Sequence, residues 1–251
     1  MKKSLLKIVQ AVLNDMDSDA VNSIGDTVES QQVAQIVQDC YYEMMGNRNW
    51  PHTRKVIQLD ALSDTTKPNY LKLPENLKEM VFFKYEKQKD GDTKIVLEDV
   101  KYLHPDEFLH HISGRNSDND NVQVVEDFNG PKLLILNDTA PQYFTSFDDT
   151  HLVTDSYDIA VDDTLKKAKS QAVAYIIPIW VEEDEFVPDL PIDAFPALIE
   201  EAKSTASIVL KQVANQKAEQ KANRQNRWLA RKSWRAQGGV RYMDFGRKGR
   251  K

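Results

Sequence analysis

The sequence predicts an α+β fold: a helical domain with a long C-terminal helix, an inserted antiparallel β-rich domain, and an extended C-terminal tail. Three observations carry this expectation. Apolar residues recur at helical spacing near both ends of the chain, short β-prone runs fill the middle, and glycine and basic residues crowd the last positions. The divisions fall at residues 1–50 for an N-terminal helical hairpin and 51–180 for the β-rich domain. Residues 181–237 form the long helix, packing with the N-terminal helices, and 238–251 the basic tail. A chain of 251 residues is long enough to bury a core, as one large domain or two small ones.

The first helix rests on Leu5, Leu6, Ile8, Val9, Val12, Leu13 and Met16, with Ser4 placed to cap it. A second helix, over about residues 27–46, carries Val33, Ile36, Val37, Cys40, Tyr41 and Met44 on one face. Asp26 and Glu29 fit a capping box at its start, with Asp in the Ser/Thr role. From Trp50 the period changes. Strands are expected at Arg54–Leu59, Tyr70–Leu73, Met80–Tyr85, Ile95–Lys101, Val122–Asp127, Leu133–Leu136, Tyr143–Phe147, Leu152–Thr154 and Gln171–Trp180. Asp90-Gly91-Asp92 and Asn129-Gly130-Pro131 read as turns between them. His104-Pro105-Asp106-Glu107 followed by Phe108, Leu109 and Ile112 reads as a short inserted helix.

After Trp180, Pro188, Leu190 and Pro191 form a rigid lead-in. Phe195, Leu198, Ile199, Ala202, Ala206, Val209, Leu210 and Val213 then keep helical spacing, and Ala214, Ala218 and Ala222 prolong the stripe. With no Gly or Pro between Pro196 and Gly238, one helix over 192–236 is expected, about 65 Å long at 1.5 Å per residue. Large aliphatic side chains vanish beyond Val213, so its second half is expected to project or to lie along another subunit. Gly238-Gly239 stops it.

Charge divides along the chain. Residues 211–251 hold 13 Lys and Arg against two acids, a net +11, whereas the first 210 residues hold 20 basic against 37 acidic side chains, a net −17. An acidic body with a basic arm seeks phosphates or an acidic protein surface, including a neighbouring copy of itself. No stretch approaches the roughly 18–20 apolar residues that cross a bilayer. The start, Met1-Lys2-Lys3-Ser4-Leu5, is soon interrupted by Lys7 and Gln10, unlike a signal peptide. A single cysteine, Cys40, cannot form an internal disulfide, which points to assembly in a reducing cytoplasm.

The chemistry-bearing residues point away from catalysis. There is no GxxxxGK[ST], GxGxxG or GxSxG motif. Among His52, His104, His110, His111 and His151 only two adjoin, and neighbours in sequence do not share a helix face. No zinc-ligand spacing occurs, so neither metal nor cofactor is expected. Asp148, Asp149, Asp155, Asp158, Asp162 and Asp163 are dense, but they scatter over strand ends and turns. Asp15, Asp17 and Asp19 imitate the first half of an EF-hand loop. Continuing that frame puts Ala20 where Gly is needed, Asn22 at the aliphatic position and Asp26 where a bidentate Glu belongs. Caps and turns account for these acids.

The basic arm is interleaved with aromatics: Arg224, Arg227, Trp228, Arg231, Lys232, Trp234, Arg235, Arg241, Tyr242, Phe245, Arg247 and Arg250. Such a pattern suits single-stranded nucleic acid, through phosphate attraction and base stacking. It also suits a protein interface, where Trp, Tyr and Arg are the usual anchors. The acidic body and the lack of a nucleic-acid module favour a protein-docking arm, with nucleic-acid binding as the alternative.

An ordered series of stretches carries a resemblance. It begins with Leu5-Leu6-Lys-Ile-Val-Gln-Ala-Val-Leu-Asn-Asp15, Asn22-Ser-Ile-Gly-Asp26 and Glu29-Ser-Gln-Gln-Val-Ala-Gln-Ile36. Arg48-Asn-Trp-Pro51, Lys72-Leu-Pro-Glu-Asn76, Ser113-Gly-Arg-Asn-Ser117, Ser146-Phe-Asp-Asp149 and Thr154-Asp-Ser-Tyr-Asp158 follow. Ala202-Lys-Ser-Thr205, Gln216-Lys-Ala-Glu-Gln220 and the closing Gly-Gly-Val-Arg-Tyr continue it. In this series the chain resembles the head-to-tail adaptor proteins of tailed phages, called tail tubular protein A in short-tailed, T7-like phages.

The resemblance implies a virion protein of the head–tail junction, without enzymatic activity. It implies a ring, typically dodecameric, of neighbouring adaptor subunits under the portal protein, with DNA passing through its lumen. The β-rich part would face the distal tail nozzle or tube protein. By the same analogy, Arg231, Trp234, Arg235, Arg241, Tyr242 and Phe245 are the expected portal contacts.

Overall fold

The computed structural model describes residues 2–87 and 95–230. The fold is α+β. The helices are α1 (Leu5–Asp15), α2 (Val28–Gly46), α3 (Pro105–Ser113), α4 (Phe195–Lys211) and α5 (Gln216–Ala230). The first five strands are β1 (Arg54–Ile57), β2 (Asp60–Ala61), β3 (Tyr70–Lys72), β4 (Leu77–Glu86) and β5 (Leu97–Tyr102). The rest are β6 (Val122–Glu126), β7 (Lys132–Leu136), β8 (Tyr143–Thr145), β9 (His151–Thr154) and β10 (Ser170–Ile176). The chain divides into two compact units: Thr53–Ile177, which holds all ten strands and α3, and a helical unit built from the residues before and after it.

In the helical unit, α1 buries Leu5, Ile8, Val9, Val12 and Leu13, the three- and four-residue spacing of one helix face. These pack with Val33, Val37, Tyr41 and Met45 of α2 and with Leu198, Ala202 and Ala206 of α4. The caps differ from expectation. Ser4 stands at the α1 N-cap, but its side chain makes no capping bond. The backbone carbonyls of Phe186 and Asp184 accept instead from the Leu5 and Leu6 N–H groups, at 2.7 and 3.1 Å. At α2 the capping box is Thr27 with Ser30, one residue beyond the expected Asp26–Glu29 pair. Thr27 Oγ1 accepts from the Ser30 N–H at 3.0 Å, and Ser30 Oγ accepts from the Thr27 N–H at 3.1 Å. Asp26 turns back to accept from the Asn22 and Ser23 N–H groups.

The largest departure lies at the C-terminal helix. Within the described part of the single helix expected over 192–236 there are two, α4 and α5, separated by Gln212–Asn215; residues 231–236 lie outside the described residues. Gln212 adopts a left-handed conformation, φ 55°, as the C-cap of α4, and α5 returns along α4 within the same unit. Absence of Gly and Pro removes the usual stop signals without forbidding a stop. The dearth of large aliphatics does not prevent packing either. Ala218 and Ala222 are buried, their small side chains allow close approach, and Leu229 reaches the core of the unit.

In the β unit an eight-stranded sheet runs β1-β10-β4-β5-β8-β9-β3-β2, with β6 and β7 as a separate hairpin. The sheet is mixed, where an antiparallel one is expected: β5 and β8 pair in parallel, Lys101 with Tyr143 and Tyr102 with Phe144. Between those strands the chain travels through α3 and the β6–β7 hairpin, which supplies the long crossover a parallel pair requires. Strand β10 ends at Ile176, ahead of Pro178, and Trp180 belongs to the core of the helical unit. The β unit buries its own core of Leu59, Tyr70, Leu71, Phe83, Phe108, Val125, Ile135, Leu152 and Tyr157.

The return of α5 gives a direct expectation. Leu229→Ala should destabilise the chain by about 2–3 kcal/mol in urea unfolding, because it opens a cavity in the helical core. An unchanged midpoint would mean that α5 does not pack there.

Candidate docking surface

Helix α5 has a sparse inner face and a charged outer one. Ala218, Ala222 and Leu229 are turned inward, while Lys217, Arg224 and Arg227 are exposed and Trp228 is about half exposed (51%). The start of the helix is fixed by Asn215. Its Oδ1 accepts from the Ala218 N–H at 3.1 Å, and its Nδ2 donates to Asp15 Oδ2 at 2.7 Å. The other Asp15 oxygen pairs with Lys203 Nζ at 3.1 Å. Lys221 Nζ reaches Glu200 of α4 at 3.3 Å. Lys217, Arg224 and Arg227 form no ion pair among the described residues.

Acids gather around Glu201 of α4. Burial raises the Glu201 carboxyl above the usual range, and the neighbouring Glu43 and Glu219 raise it further. Glu219 is the one acid of α5 and lies near Glu201, whereas Lys217, Arg224 and Arg227 are exposed and Lys221 pairs with Glu200. A basic, tryptophan-bearing face on an acidic chain can attract phosphates or an acidic protein surface.

The six residues expected to contact a portal, Arg231, Trp234, Arg235, Arg241, Tyr242 and Phe245, lie outside the described residues. Arg224, Arg227 and Trp228, singled out with them in the sequence, stand on the last turns of α5. Sequence reasoning missed the part played by Asp15 and Asn215. Asn at an N-cap, just before a run of good helix formers, was the available signal.

The other chemistry-bearing groups are occupied structurally. Asp17 sits in a left-handed turn, φ 53°, and Asp15 and Asp26 are engaged as above. No group of three or more metal-ligating side chains gathers among the described residues. Burial pushes the Cys40 thiol up to about 11, which keeps it a poor nucleophile. Asp162 pairs with Lys169 at 2.6 Å, and Asp158 accepts from the Ala160 N–H.

Two of the stretches that carry the family resemblance meet in the β unit. Arg115, from Ser113–Ser117, donates to the Asp155 carboxylate at 3.1 Å and to the Leu134 and Asp155 carbonyls at 3.0 and 2.6 Å. Asp155, from Thr154–Asp158, is almost fully buried and accepts from the Gln142 and Tyr143 N–H groups as well. The imidazole of His111 packs over Tyr143, with ring centroids 4.7 Å apart. A buried carboxylate satisfied in this way fixes the loops that meet on it.

Asp148 holds a second such turn. Its carboxylate accepts from the Thr150 and His151 N–H groups, the Thr150 hydroxyl and His151 Nδ1, the last at 2.7 Å. Phe128 stacks on the His151 ring at 4.5 Å. Among the described residues, Thr150 supplies the one hydroxyl hydrogen-bonded to this imidazole, and it is itself tied to Asp148.

Compared with known proteins, the chain matches no family model and no curated protein. Among the described residues no helix is long and apolar enough to cross a membrane.

The Asp148 turn generates a pH dependence. Partial burial raises its carboxyl, but the bonds from His151 and Thr150 outweigh that and bring it down to about 2. A depressed folded-state pKa adds stability above the ordinary carboxylate range, and that stability fades as pH falls from about 4 toward 2. Asp148→Asn should therefore cost about 1 kcal/mol at pH 7, allowing for partial solvent screening. The difference from the parent should shrink in urea titrations near pH 3. A difference independent of pH would contradict the role given to the carboxylate.

Proposed function

We propose that the chain is a structural subunit of a head-to-tail adaptor ring in a tailed bacteriophage. It would sit at the head–tail junction of the virion, between the portal protein and the distal nozzle or tube protein, after assembly in the host cytoplasm. Neighbouring copies, a dodecamer by the family resemblance, would surround a lumen that DNA traverses. The observation that carries this reading is the basic, tryptophan-bearing outer face of α5 on an otherwise acidic chain. That face leads directly into the basic, aromatic residues 231–251.

The proposed action is assembly, with no bond chemistry and no cofactor. Acidic bodies repel one another in the free state, while the basic C-terminal end seeks an acidic or hydrogen-bonding partner. A portal offers many copies of one binding site around a circle. Each docked arm raises the effective concentration of its neighbour, so ring closure becomes cooperative. An acidic lumen would let DNA slide, since phosphates are repelled from it.

The second reading, a nucleic-acid-binding protein, draws on the same Arg224, Arg227 and Trp228. It requires phosphate contacts that weaken steeply with salt. The two readings separate in one pull-down. A chain lacking residues 237–251 should remain folded by circular dichroism and fail to attach to its portal. Attachment by the shortened chain would remove the arm's role. Tight, salt-sensitive capture of single-stranded DNA by the intact chain would favour the alternative.

A further inference from the structure

The turn between α4 and α5 is short, and its first residue is in a disfavoured conformation. We propose that Gln212–Asn215 is an exchange hinge: it straightens into continuous helix, and α5 of one copy packs on α4 of a second copy of this chain. Gln212 is a non-glycine residue in the left-handed region, φ 55° and ψ 27°, a conformation that L side chains avoid. The residues through which the hinge would straighten, Gln212-Val213-Ala214-Asn215, contain no helix breaker, and neither Gly nor Pro occurs from Ala197 to Gln237. The same residues can therefore turn or run straight, and running straight relieves the strain.

Geometry names the occupant. In a continuous helix Leu229 would lie about 35 Å along the axis from Ala206, beyond reach of its own α4. The face left by α5 then has its best match in another copy's α5. Ala218, Ala222 and Leu229 would fill the same positions, and Lys221 would meet the same Glu200. The contacts of the α5 inner face are recovered, which is the condition for exchange, and only those of the hinge itself are given up. The end of α4 and the hinge also carry exposed apolar residues that the closed form leaves unused. Ile208, Val209 and Val213 are 53%, 60% and 64% exposed. Once the helix is continuous, Val209 and Val213 fall four apart on one face, an apolar contact where two exchanging copies cross. Against opening stands chiefly the pair of bonds made by Asn215, to Asp15 and to the Ala218 N–H. Repulsion of Glu219 by Glu201 works in the other direction.

A cross-linking experiment on the full chain decides the matter. Glu200→Cys with Lys221→Cys places thiols on the two helices, and a short bismaleimide joins them while buried Cys40 stays protected. The chain is concentrated to about 1 mM and its oligomers are isolated, treated and run on a denaturing gel. Exchange predicts covalent links between chains in the oligomer and links within chains in the monomer. Gln212→Gly should raise the concentration needed for the oligomer about fivefold, and Gln212→Val should lower it. A chain monomeric throughout, an oligomer linked only within chains, or Gly and Val variants shifting the same way would overturn the proposal. An oligomer linked only within chains would leave the ring reading intact, so the two ideas fail separately.

Discussion

Asn215 ties one backbone donor and one carboxylate with a single side chain. Its carbonyl oxygen caps α5 through the Ala218 N–H, and its amide donates to Asp15 at the end of α1. That double use converts a helix-prone run into a corner. Because of the corner, the basic C-terminal helix lies on the acidic helical unit and Leu229 joins a core built around α1, α2 and α4. Lys203, the second partner of Asp15, joins α4 to the same point. Three elements distant in sequence thus depend on one carboxylate and one amide. The inner face of α5, two alanines and a leucine, would be thin support without that anchor.

A different constraint lets the β unit occupy the middle of the chain. Its first and last strands pair antiparallel, Arg54 opposite Tyr175 and Ile57 opposite Ala172. The chain enters and leaves the unit at neighbouring positions, so the insertion asks little of the helices on either side. Inside the unit, the parallel β5–β8 pair brings the Arg115 and Asp155 loops together. Removing either partner of such a buried pair would leave the other charge unpaired away from water.

Most of the fold was legible because it is written in local periods. Nine of the ten strands and the inserted α3 follow from β-branched runs, turn residues and a Pro at the helix start. Asp60–Ala61 was invisible, since two residues carry no period. The parallel pairing could not be read because it depends on how long the chain wanders before returning. The α4–α5 corner was missed for the opposite reason: local propensity favours helix throughout, and a tertiary contact to Asp15 overrides it. The α2 cap lies one residue later than expected because Thr27 and Ser30 bond each other's N–H groups, while Asp26 is engaged with Asn22 and Ser23. At the docking surface, composition exposed the basic and aromatic character of the C-terminal end. It could not reveal that α5 brings Glu219 near Glu201 and leaves Lys217, Arg224 and Arg227 exposed.

The proposed adaptor role draws together an acidic body, a basic helix folded against it, and a C-terminal extension rich in arginine and aromatics. Helix α5 is the joint of that arrangement, because its inner face belongs to the subunit and its outer face is available to a partner. Hydrogen exchange of α5 amides in the dilute, isolated chain tests this most directly. Amides of residues 219–229 should exchange far more slowly than an unstructured peptide, and Asp15→Ala should speed them. Exchange of those amides at unstructured rates in the parent chain would contradict the account.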